Sequence, residues 1–372
     1  MIVGIPKESK IGEYRVSLVP ESVRELSNRG QRVLVERNAG EGIRASDAAY
    51  AEAGAEVVSS AADVFEQSDL VVKVKEPQPD EIAMLRPGQG LFAYLHLAPD
   101  VAQTDALMAS GCTAIAYETV TDSRGSLPLL TPMSEIAGRL SVTAGARCLQ
   151  RAAGGAGILL GGVPGTPPAN VTVIGAGTVG TEAVRMAVGL LADVTVLDTS
   201  LHALRRIADQ FENRVKALRA TDEVTRACVR DADLAIGAVL VAGDEAPKLV
   251  DAETVREMRR GSAIVDVAID QGGCFETSRP TNHTEPTYLV DEVVHYCVTN
   301  MPGCVPRTAS YALNHATLDF VLALADRGVE GALRADPHLR NGLNLIAGRL
   351  THPSVAHAQH REFTDPREIL GT

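Results

Sequence analysis

The hexapeptide GAGTVG at residues 175–180 follows a short apolar run and precedes a helix-like stretch. In such a motif Gly175 permits a tight turn, Gly177 lets the backbone approach a pyrophosphate, and Gly180 lets the helix pack closely on the strand. The N–H groups of the first helical turn would then face the phosphates. Asp198 ends the next apolar run, where a carboxylate accepts hydrogen bonds from both ribose hydroxyls and repels a 2′-phosphate. An ordinary glycine-rich turn is the alternative, but the strand, helix and acidic context favours a dinucleotide site that takes NAD rather than NADP.

Several polar residues lie where apolar runs end. They are Lys75, His96, Asp270 and Asn300, which each follow such a run, and Lys7, Glu8 and Arg15 in the loop after the first run. Ligands of open parallel sheets bind outside the carboxyl ends of the strands, so this shared location indicates a site. Taken singly, the simpler explanations are a structural histidine, solvated surface cations, a turn-capping aspartate and an asparagine in a left-handed loop.

These residue types suit an α-keto acid. An arginine fork binds a planar carboxylate through two charge-assisted hydrogen bonds. The carbonyl oxygen needs a hydrogen-bond donor as it becomes an alkoxide, and an acid/base group must move protons while ammonia replaces oxygen. Hydride transfer itself belongs to a nicotinamide, and the protein supplies position and electrostatics.

The first part of the chain alternates short apolar runs with helix-like stretches, which predicts a parallel sheet covered on both faces. The predicted strands are Ile2–Ile5, Gln31–Glu36, Leu70–Val74, Leu91–Leu95 and Thr113–Tyr117. A helix is predicted at Pro20–Arg29, because proline suits its first turn and Gly30 its end.

A second series follows a small-residue helix that starts at Thr131 and is predicted to link two domains. Residues 154–168 are rich in glycine and proline and predict a loop, with a hairpin as one option. The predicted strands of the second series are Val171–Ile174, Val194–Leu197, Leu234–Ala238, Ala263–Ile269 and Val293–Val298, at least five of the six that a complete dinucleotide fold needs. A long apolar helix is predicted at Ala309–Ala325, ending near Gly328. The expected fold is α/β, with two doubly wound Rossmann-like domains separated by an active-site cleft.

The composition argues against several classes of partner. The 372 residues carry a net charge of −12 and show no basic patch, which disfavours nucleic acids and anionic membranes. No apolar run is long enough to span a bilayer, and the first residues lack a secretory signal pattern. The six cysteines are scattered without metal-site spacing, so we expect reduced thiols, no metal and a cytoplasmic protein. They are Cys112, Cys148, Cys228, Cys274, Cys297 and Cys304.

With these residues assembled, the sequence resembles the L-alanine dehydrogenases from end to end. The shared strings are IPKE at 5–8, EYRV at 13–16, VKEP at 74–77, YLHL at 94–97, PMSEIAG at 132–138, GAGTVG at 175–180, PKLV at 247–250, IVDVAIDQGG at 264–273 and NMPG at 300–303. The resemblance implies reversible NAD-dependent deamination of L-alanine to pyruvate and ammonia through an imine, by a homohexamer. It also implies a substrate domain of residues 1–128 and 305–372 and an NAD domain of residues 129–304.

The resemblance implies a role for each site residue. Arg15 and Lys75 would hold the substrate carboxylate and carbonyl, His96 would be the acid/base group, and Asp270 would assist proton transfer and cofactor closure. The cofactor contacts would come from Ser134, Gly175, Gly177, Thr178, Val179, Gly180, Asp198, Val239, Leu240, Ile269, Asp270, Asn300 and Met301. Departures are peripheral: Ala203 and Ala220 stand where relatives often carry a basic residue and a hydroxyl, on the adenosine side.

Three alternatives remain open. The NAD-binding subunit of a proton-translocating transhydrogenase belongs to the same superfamily, but Arg15, Lys75 and His96 are all present and no membrane segment follows. A saccharopine-type or other amino-acid dehydrogenase would differ in substrate preference. An inactive dinucleotide sensor is disfavoured by the same three residues.

Overall fold

The computed structural model describes residues 1–239 and 246–371 of the chain. The described chain forms two compact units, and the first is built from both ends of the sequence. Unit 1 comprises Met1–Met133 and Gly303–Thr372, and unit 2 comprises Ser134–Pro302. No helix in these described stretches is long and apolar enough to cross a membrane.

Unit 1 contains an eight-stranded sheet in the order β15-β14-β6-β5-β4-β1-β2-β3. Its strands are β1 (Ile2–Ile5), β2 (Arg32–Glu36), β3 (Glu56–Val58), β4 (Leu70–Val72), β5 (Gly90–Ala93), β6 (Thr113–Ala116), β14 (Leu343–Ile346) and β15 (Arg349–Leu350). The first six strands are parallel. The five predicted strands are confirmed, although β4 and β5 end two residues earlier than predicted. The expectation of a purely parallel sheet is wrong at one edge, because β14 and β15 run antiparallel there.

The helices of unit 1 cover this sheet. They are α1 (Pro20–Asn28), α2 (Asp47–Glu52), α3 (Ala61–Gln67), α4 (Pro79–Ile82), α5 (Val101–Ser110), the start of α6 (Thr131–Cys148), α11 (Pro306–Arg327), α12 (Val329–Ala335), α13 (Pro337–Arg340), α14 (Pro353–Ala358) and α15 (Pro366–Leu370). The predicted ends of the two long helices are confirmed, since Gly30 follows α1 with φ 76° and Gly328 follows α11 with φ 75°. The buried side chain of Asn314 in α11 accepts a hydrogen bond from the backbone of Val19 at 3.0 Å, which joins α11 to the start of α1.

Unit 2 contains a seven-stranded sheet in the order β12-β13-β11-β10-β7-β8-β9. Its strands are β7 (Asn170–Ile174), β8 (Asp193–Asp198), β9 (Lys216–Arg219), β10 (Leu234–Gly237), β11 (Ala263–Asp266), β12 (Thr287–Val290) and β13 (Val293–Tyr296). Six strands are parallel and β12 is antiparallel to β13. The five predicted strands are confirmed, and β9 supplies the sixth parallel strand.

One predicted strand is too long. We expected Ala263–Ile269, but β11 ends at Asp266 and Val267–Gln271 forms a 3-10 helix. The Asp266 side chain accepts a hydrogen bond from the backbone N–H of Ala268 at 3.1 Å, which caps that helix. Asp270 therefore lies in a short helix beyond the strand.

The helices of unit 2 are the remainder of α6, α7 (Thr178–Gly189), α8 (Leu201–Gln210), α9 (Asp222–Arg230) and α10 (Ala252–Arg256). Adjacent residues of β7 enter different apolar clusters: Val173 packs on one side of the sheet and Ile174 on the other. Burial of both faces explains why the strands are apolar runs instead of alternating patterns. The glycine- and proline-rich segment 154–168 contains one antiparallel bridge, between Val163 and Thr166, as in a small hairpin.

Candidate active site

Three predicted site residues of unit 1 lie in loops that follow the carboxyl ends of neighbouring strands. Arg15 follows β1, Lys75 follows β4 and His96 follows β5. These strands are neighbours in the order β5-β4-β1 and run parallel. Their carboxyl ends, and the three loops that follow them, are therefore on the same side.

Arg15 is a buried cation held by its neighbour Glu13. The guanidinium donates from Nε to Glu13 Oε1 at 2.7 Å and from Nη2 to Oε2 at 2.5 Å, while Nη1 contacts the sulfur of Met133 at 3.0 Å. Only 2% of the Arg15 side chain is exposed. Burial acts to lower the pKa of Arg15, but the hydrogen bonds and charge of Glu13 outweigh it and raise the pKa. Arg15 is thus a permanent and oriented positive charge.

The loop that carries Lys75 is tied to the β1 loop by Glu8. The Glu8 carboxylate accepts hydrogen bonds from the backbone N–H of Val74 at 2.7 Å and of Lys75 at 3.4 Å. It also pairs with the fully buried ammonium of Lys73 at 3.2 Å, and Lys73 pairs with Glu81 at 2.9 Å. Burial raises the pKa of Glu8 despite the opposing charge of Lys73. This buried charge cluster sets the position of the backbone beside Lys75.

His96 adopts the left-handed conformation, with φ 50°. The carboxylate of Glu118 accepts a hydrogen bond from the His96 N–H at 2.6 Å and lies 4.0 Å from the imidazole Nδ1. The ring of Tyr94 stacks on the His96 ring with centroids 6.0 Å apart. The phenol of Tyr94 in turn donates to the carbonyl of Leu129 at 2.5 Å. The imidazole itself is half exposed, at 48% of its side-chain area, so a substrate can reach it.

The glycine loop of unit 2 has the shape that a phosphate-binding turn requires. Gly175 has φ 106°, and a Cβ there would lie 2.5 Å from the carbonyl oxygen of Ala238. A Cβ on Gly180 would lie 1.8 Å from the carbonyl oxygen of Gly175, so only glycine permits α7 to begin so close to β7. A Cβ on Gly177 would meet nothing within 4 Å among the described residues. The packing of the chain therefore does not require this glycine, whereas a ligand approaching the backbone would.

Asp198 lies at the end of β8 beside this loop. Its Oδ2 accepts a hydrogen bond from the N–H of Ala176 at 2.7 Å, and its Oδ1 accepts one from Ser200 at 2.7 Å. The guanidinium of Arg206 donates to the carbonyl oxygen of Ala176 at 2.5 Å. The backbone N–H of Ala220 donates to the carbonyl of Asp198 at 2.9 Å, so Ala220 adjoins the acidic residue. The loop and the carboxylate are consequently held as one structure.

Asp270 and Asn300 also come together in unit 2. The N–H of Asn300, which has φ 54°, donates to Asp270 Oδ1 at 3.3 Å. Asp270 is exposed, whereas its neighbour Ile269 and Met301 beside Asn300 are buried.

The remaining cofactor candidates lie close to the glycine loop where they are described. The backbone N–H nitrogen of Val239 would lie 3.3 Å from a Cβ on Gly175. Thr178 and Val179 form the first turn of α7. Gly138 of α6, one helical turn beyond the half-buried Ser134, packs against Val179, with 2.3 Å between a Cβ built on Gly138 and the Val179 oxygen. Leu240 lies outside the described residues.

The described residues include no group of three or more His, Cys, Asp or Glu side chains arranged to hold a metal ion. All six cysteines are unpaired thiols; five are partly or fully buried and Cys304 is exposed.

Comparison with known proteins decides the family. Residues 4–137 match the family model described as "Alanine dehydrogenase/PNT, N-terminal domain", and residues 141–353 match the corresponding C-terminal domain. The chain belongs to the alanine dehydrogenase family. It is 53% identical over 371 residues to an alanine dehydrogenase of Halomonas elongata and 50% identical over 370 residues to one of Mycobacterium tuberculosis, with 100% of each chain covered. The predicted resemblance is confirmed.

Solved structures agree with this assignment. The fold matches a structure titled L-alanine dehydrogenase with a TM-score of 0.94 and 52% identity, covering 97% of this chain and 99% of the other. A transhydrogenase of Sinorhizobium meliloti matches less closely, with a TM-score of 0.81 and 27% identity over 95% of this chain and all of the other. Membership of the alanine dehydrogenase family implies a nicotinamide cofactor.

Sequence reasoning did not recognise which residues hold the predicted site residues in place. Glu8, Glu13 and Glu118 each bind the backbone or side chain of one of them, and Lys73 compensates the buried charge of Glu8. Lys73 did carry a signal, because a lysine within the apolar run LVVKV has to find a buried partner. Glu8 and Glu13 carried no signal beyond their presence in the shared strings and in the loop after the first strand, and Glu118 carried none.

Proposed function

We propose that this chain catalyses the reversible oxidative deamination of L-alanine to pyruvate and ammonia, with NAD as hydride acceptor. The observation that carries the proposal is the arrangement of Arg15, Lys75 and His96 at the ends of three neighbouring parallel strands. Full-length identity of 53% to an alanine dehydrogenase supports the same chemistry. The half of the chain in unit 1 would bind the substrate and unit 2 the dinucleotide, with the predicted boundaries near residues 128 and 305.

In unit 1, we assign substrate binding to the two cations. Arg15 supplies a fixed positive charge for the substrate carboxylate, and Glu13 keeps its guanidinium plane oriented. Lys75 donates a hydrogen bond to the carbonyl oxygen of pyruvate and stabilises the negative charge that develops there when ammonia adds. Glu8 holds the Lys75 backbone for this purpose.

Proton transfer is assigned to His96 and Asp270. The imidazole of His96 is exposed enough to contact a substrate, and the Glu118 carboxylate lies 4.0 Å from its Nδ1. It would protonate the departing oxygen as the carbinolamine becomes an imine, and accept a proton in the reverse direction. For Asp270, which accepts a hydrogen bond from the Asn300 N–H, we propose a role in assisting proton transfer.

The residues of unit 2 fit a dinucleotide. Gly177 leaves open space at the start of α7, and the described residues provide no side-chain cap for that helix, so its first N–H groups remain for a pyrophosphate. Asp198 lies where the adenosine ribose would bind and would repel a 2′-phosphate, which favours NAD. Ser134, Val239, Ile269, Asn300 and Met301 are further proposed contacts. NAD, when bound, supplies the hydride-accepting nicotinamide.

The deciding experiment is an assay of the purified protein alone. It should oxidise NADH when given pyruvate and ammonium together, and it should reduce NAD when given L-alanine. Omission of ammonium serves as the control. A transhydrogenase-type module would show neither reaction, and a different amino-acid dehydrogenase would prefer another keto acid over pyruvate.

The assembly and the location are proposed from family resemblance. We propose a homohexamer in the cytoplasm. Because each chain has a mass of 39.2 kDa, sedimentation equilibrium separates a hexamer from a dimer or a monomer without ambiguity.

A further inference from the structure

The loop that carries His96 is held by side chains from several parts of unit 1. The carboxylate of Glu118 accepts hydrogen bonds from the backbone N–H groups of Leu95 and His96. The side chain of Gln103 in α5 donates a third hydrogen bond, to the carbonyl oxygen of Leu95 at 2.8 Å. A left-handed backbone at a non-glycine residue persists only where the surroundings enforce it. The contacts of Glu118 and Gln103 hold His96 in this conformation.

The fourth contact comes from the far end of the sequence. Gln359, which immediately follows α14, donates from Nε2 to the carbonyl oxygen of Leu97 at 2.6 Å and to the hydroxyl of Thr104 at 3.0 Å. Gln359 and Leu97 are 262 positions apart in the sequence. Val355 and Ala356 of α14 pack in the same buried apolar cluster as Leu95 and Leu97. The C-terminal segment therefore lies directly against the His96 loop.

The hydrogen bonds of the Gln359 amide do not fully offset the free energy of burying it. Its Oε1 is buried and has no hydrogen-bond partner within the described parts of the chain. A buried acceptor without a partner destabilises a protein. The carbonyl of Leu97, by contrast, also accepts from the backbone N–H of Asp100 at 3.0 Å. An apolar side chain at position 359 would therefore leave the protein about as stable as Gln359 does.

We propose that Gln359 is a positioning residue for the acid/base step, acting on His96 through the Leu97 carbonyl. This inference rests on the proposed function of His96. Gln359 holds the carbonyl of Leu97, the residue that follows His96 in the sequence. It thereby limits rotation of the backbone at His96. Its loss lowers the fraction of molecules in which the imidazole is correctly directed, while the contacts of Arg15 and Lys75 remain intact.

The test is Gln359→Met, which keeps the length of the side chain and removes both polar atoms. We expect kcat for NADH oxidation with pyruvate and ammonium to fall about tenfold, the effect of losing one buried hydrogen bond. The KM for pyruvate and the Kd for NADH should stay within twofold, and the thermal midpoint should not decrease. The solvent deuterium isotope effect on kcat should increase, because proton transfer becomes a larger part of the barrier.

The matched control is Arg361→Met. Arg361 lies two residues further along the same segment and pairs with Asp105 of α5 at 2.6 Å. Within the described parts of the chain its side chain makes no hydrogen bond to the His96 loop. It should leave kcat unchanged. An equal loss of kcat in both variants would show that the segment acts only as a general tether and would overturn the inference, as would an unchanged kcat in Gln359→Met.

Hydrogen–deuterium exchange of residues 94–99 provides a readout that does not depend on activity. Exchange should be faster in Gln359→Met than in the unsubstituted protein or in Arg361→Met. If the unsubstituted protein lacked the pyruvate and ammonium reaction, the proposed function would fail and the catalytic part of this inference with it. Unchanged exchange together with an active parent protein would overturn the inference alone.

Discussion

The buried lysine of unit 1 allows a quantitative test of how the site is supported. The Lys73 ammonium is 2.9 Å from Glu81 and 3.2 Å from Glu8, and the three side chains are 0%, 5% and 2% exposed. At an effective dielectric constant of about 20, each contact corresponds to roughly 5–6 kcal/mol of attraction before the cost of desolvation. Lys73→Met keeps the apolar stem and removes the charge, so two buried carboxylates lose their counter-ion.

We expect this change to lower the free energy of unfolding of unit 1 by about 3–5 kcal/mol at pH 8, the usual cost of removing one partner from a buried pair. For a domain of this size the thermal midpoint would fall by roughly 6–20 °C. The triple variant Lys73→Met, Glu8→Gln, Glu81→Gln should recover part of the loss, because no uncompensated charge remains.

The stability lost in Lys73→Met should become smaller as the pH falls. The nearby carboxylates outweigh the effect of burial and raise the pKa of Lys73 above its usual 10.5, so its stabilising contribution is complete below that value and disappears as the pH rises through the folded pKa. Burial raises the pKa of Glu8 above 4.5, and the loss of Lys73 would raise it further. The variant should therefore regain stability as the pH falls from 8 toward 5, when the native state takes up a proton at Glu8.

Calorimetry of the variants between pH 5 and 8 measures these differences. The matched control is Lys7→Met, in the same unit: Lys7 pairs with Glu41 at 3.1 Å, but 46% and 70% of the two side chains are exposed. Such a pair contributes less than about 1 kcal/mol. Equal destabilisation by the two substitutions, or a pH-independent loss in Lys73→Met, would refute the argument that burial makes Lys73 important.

The remaining predictions concern the proposed chemistry. His96→Ala should abolish turnover and leave NADH binding, measured by fluorescence titration, nearly unchanged; normal turnover would remove His96 from the mechanism. Asp198→Ala should relax the discrimination against NADP in steady-state kinetics, and an unaltered preference would mean that another group binds the ribose. Gly177→Ala should fold normally and bind NADH weakly, whereas Gly180→Ala, whose Cβ would lie 1.8 Å from a carbonyl oxygen, should lose thermal stability. Oxidative deamination should accelerate toward alkaline pH because the amine must be unprotonated, and a flat profile would contradict the assigned proton route.

The α/β fold and most of its parallel strands could be predicted from apolar runs alone. Central strands such as β5 and β10 are buried at every position, so they contain no polar side chain and the run is visible in the sequence. Strand β9, with the sequence KALR, was missed because it lies at a sheet edge and is mostly exposed. The end of β11 was placed too late, because the apolar residues Val267 to Ile269 continue into a 3-10 helix capped by Asp266.

The sequence by itself determined the glycine loop, its acidic neighbour Asp198 and the polar residues that follow strands, because these features depend on short stretches of chain. Only the tertiary structure showed that Glu13, Glu8 and Glu118 hold them, and that Gln359 reaches the His96 loop from the C-terminal segment. Glu13 lies only two positions from Arg15, but the other contacts join distant positions according to the order of strands in the sheet. Since a buried charge or amide is selected by its partner and not by its neighbours in sequence, no local pattern predicts them.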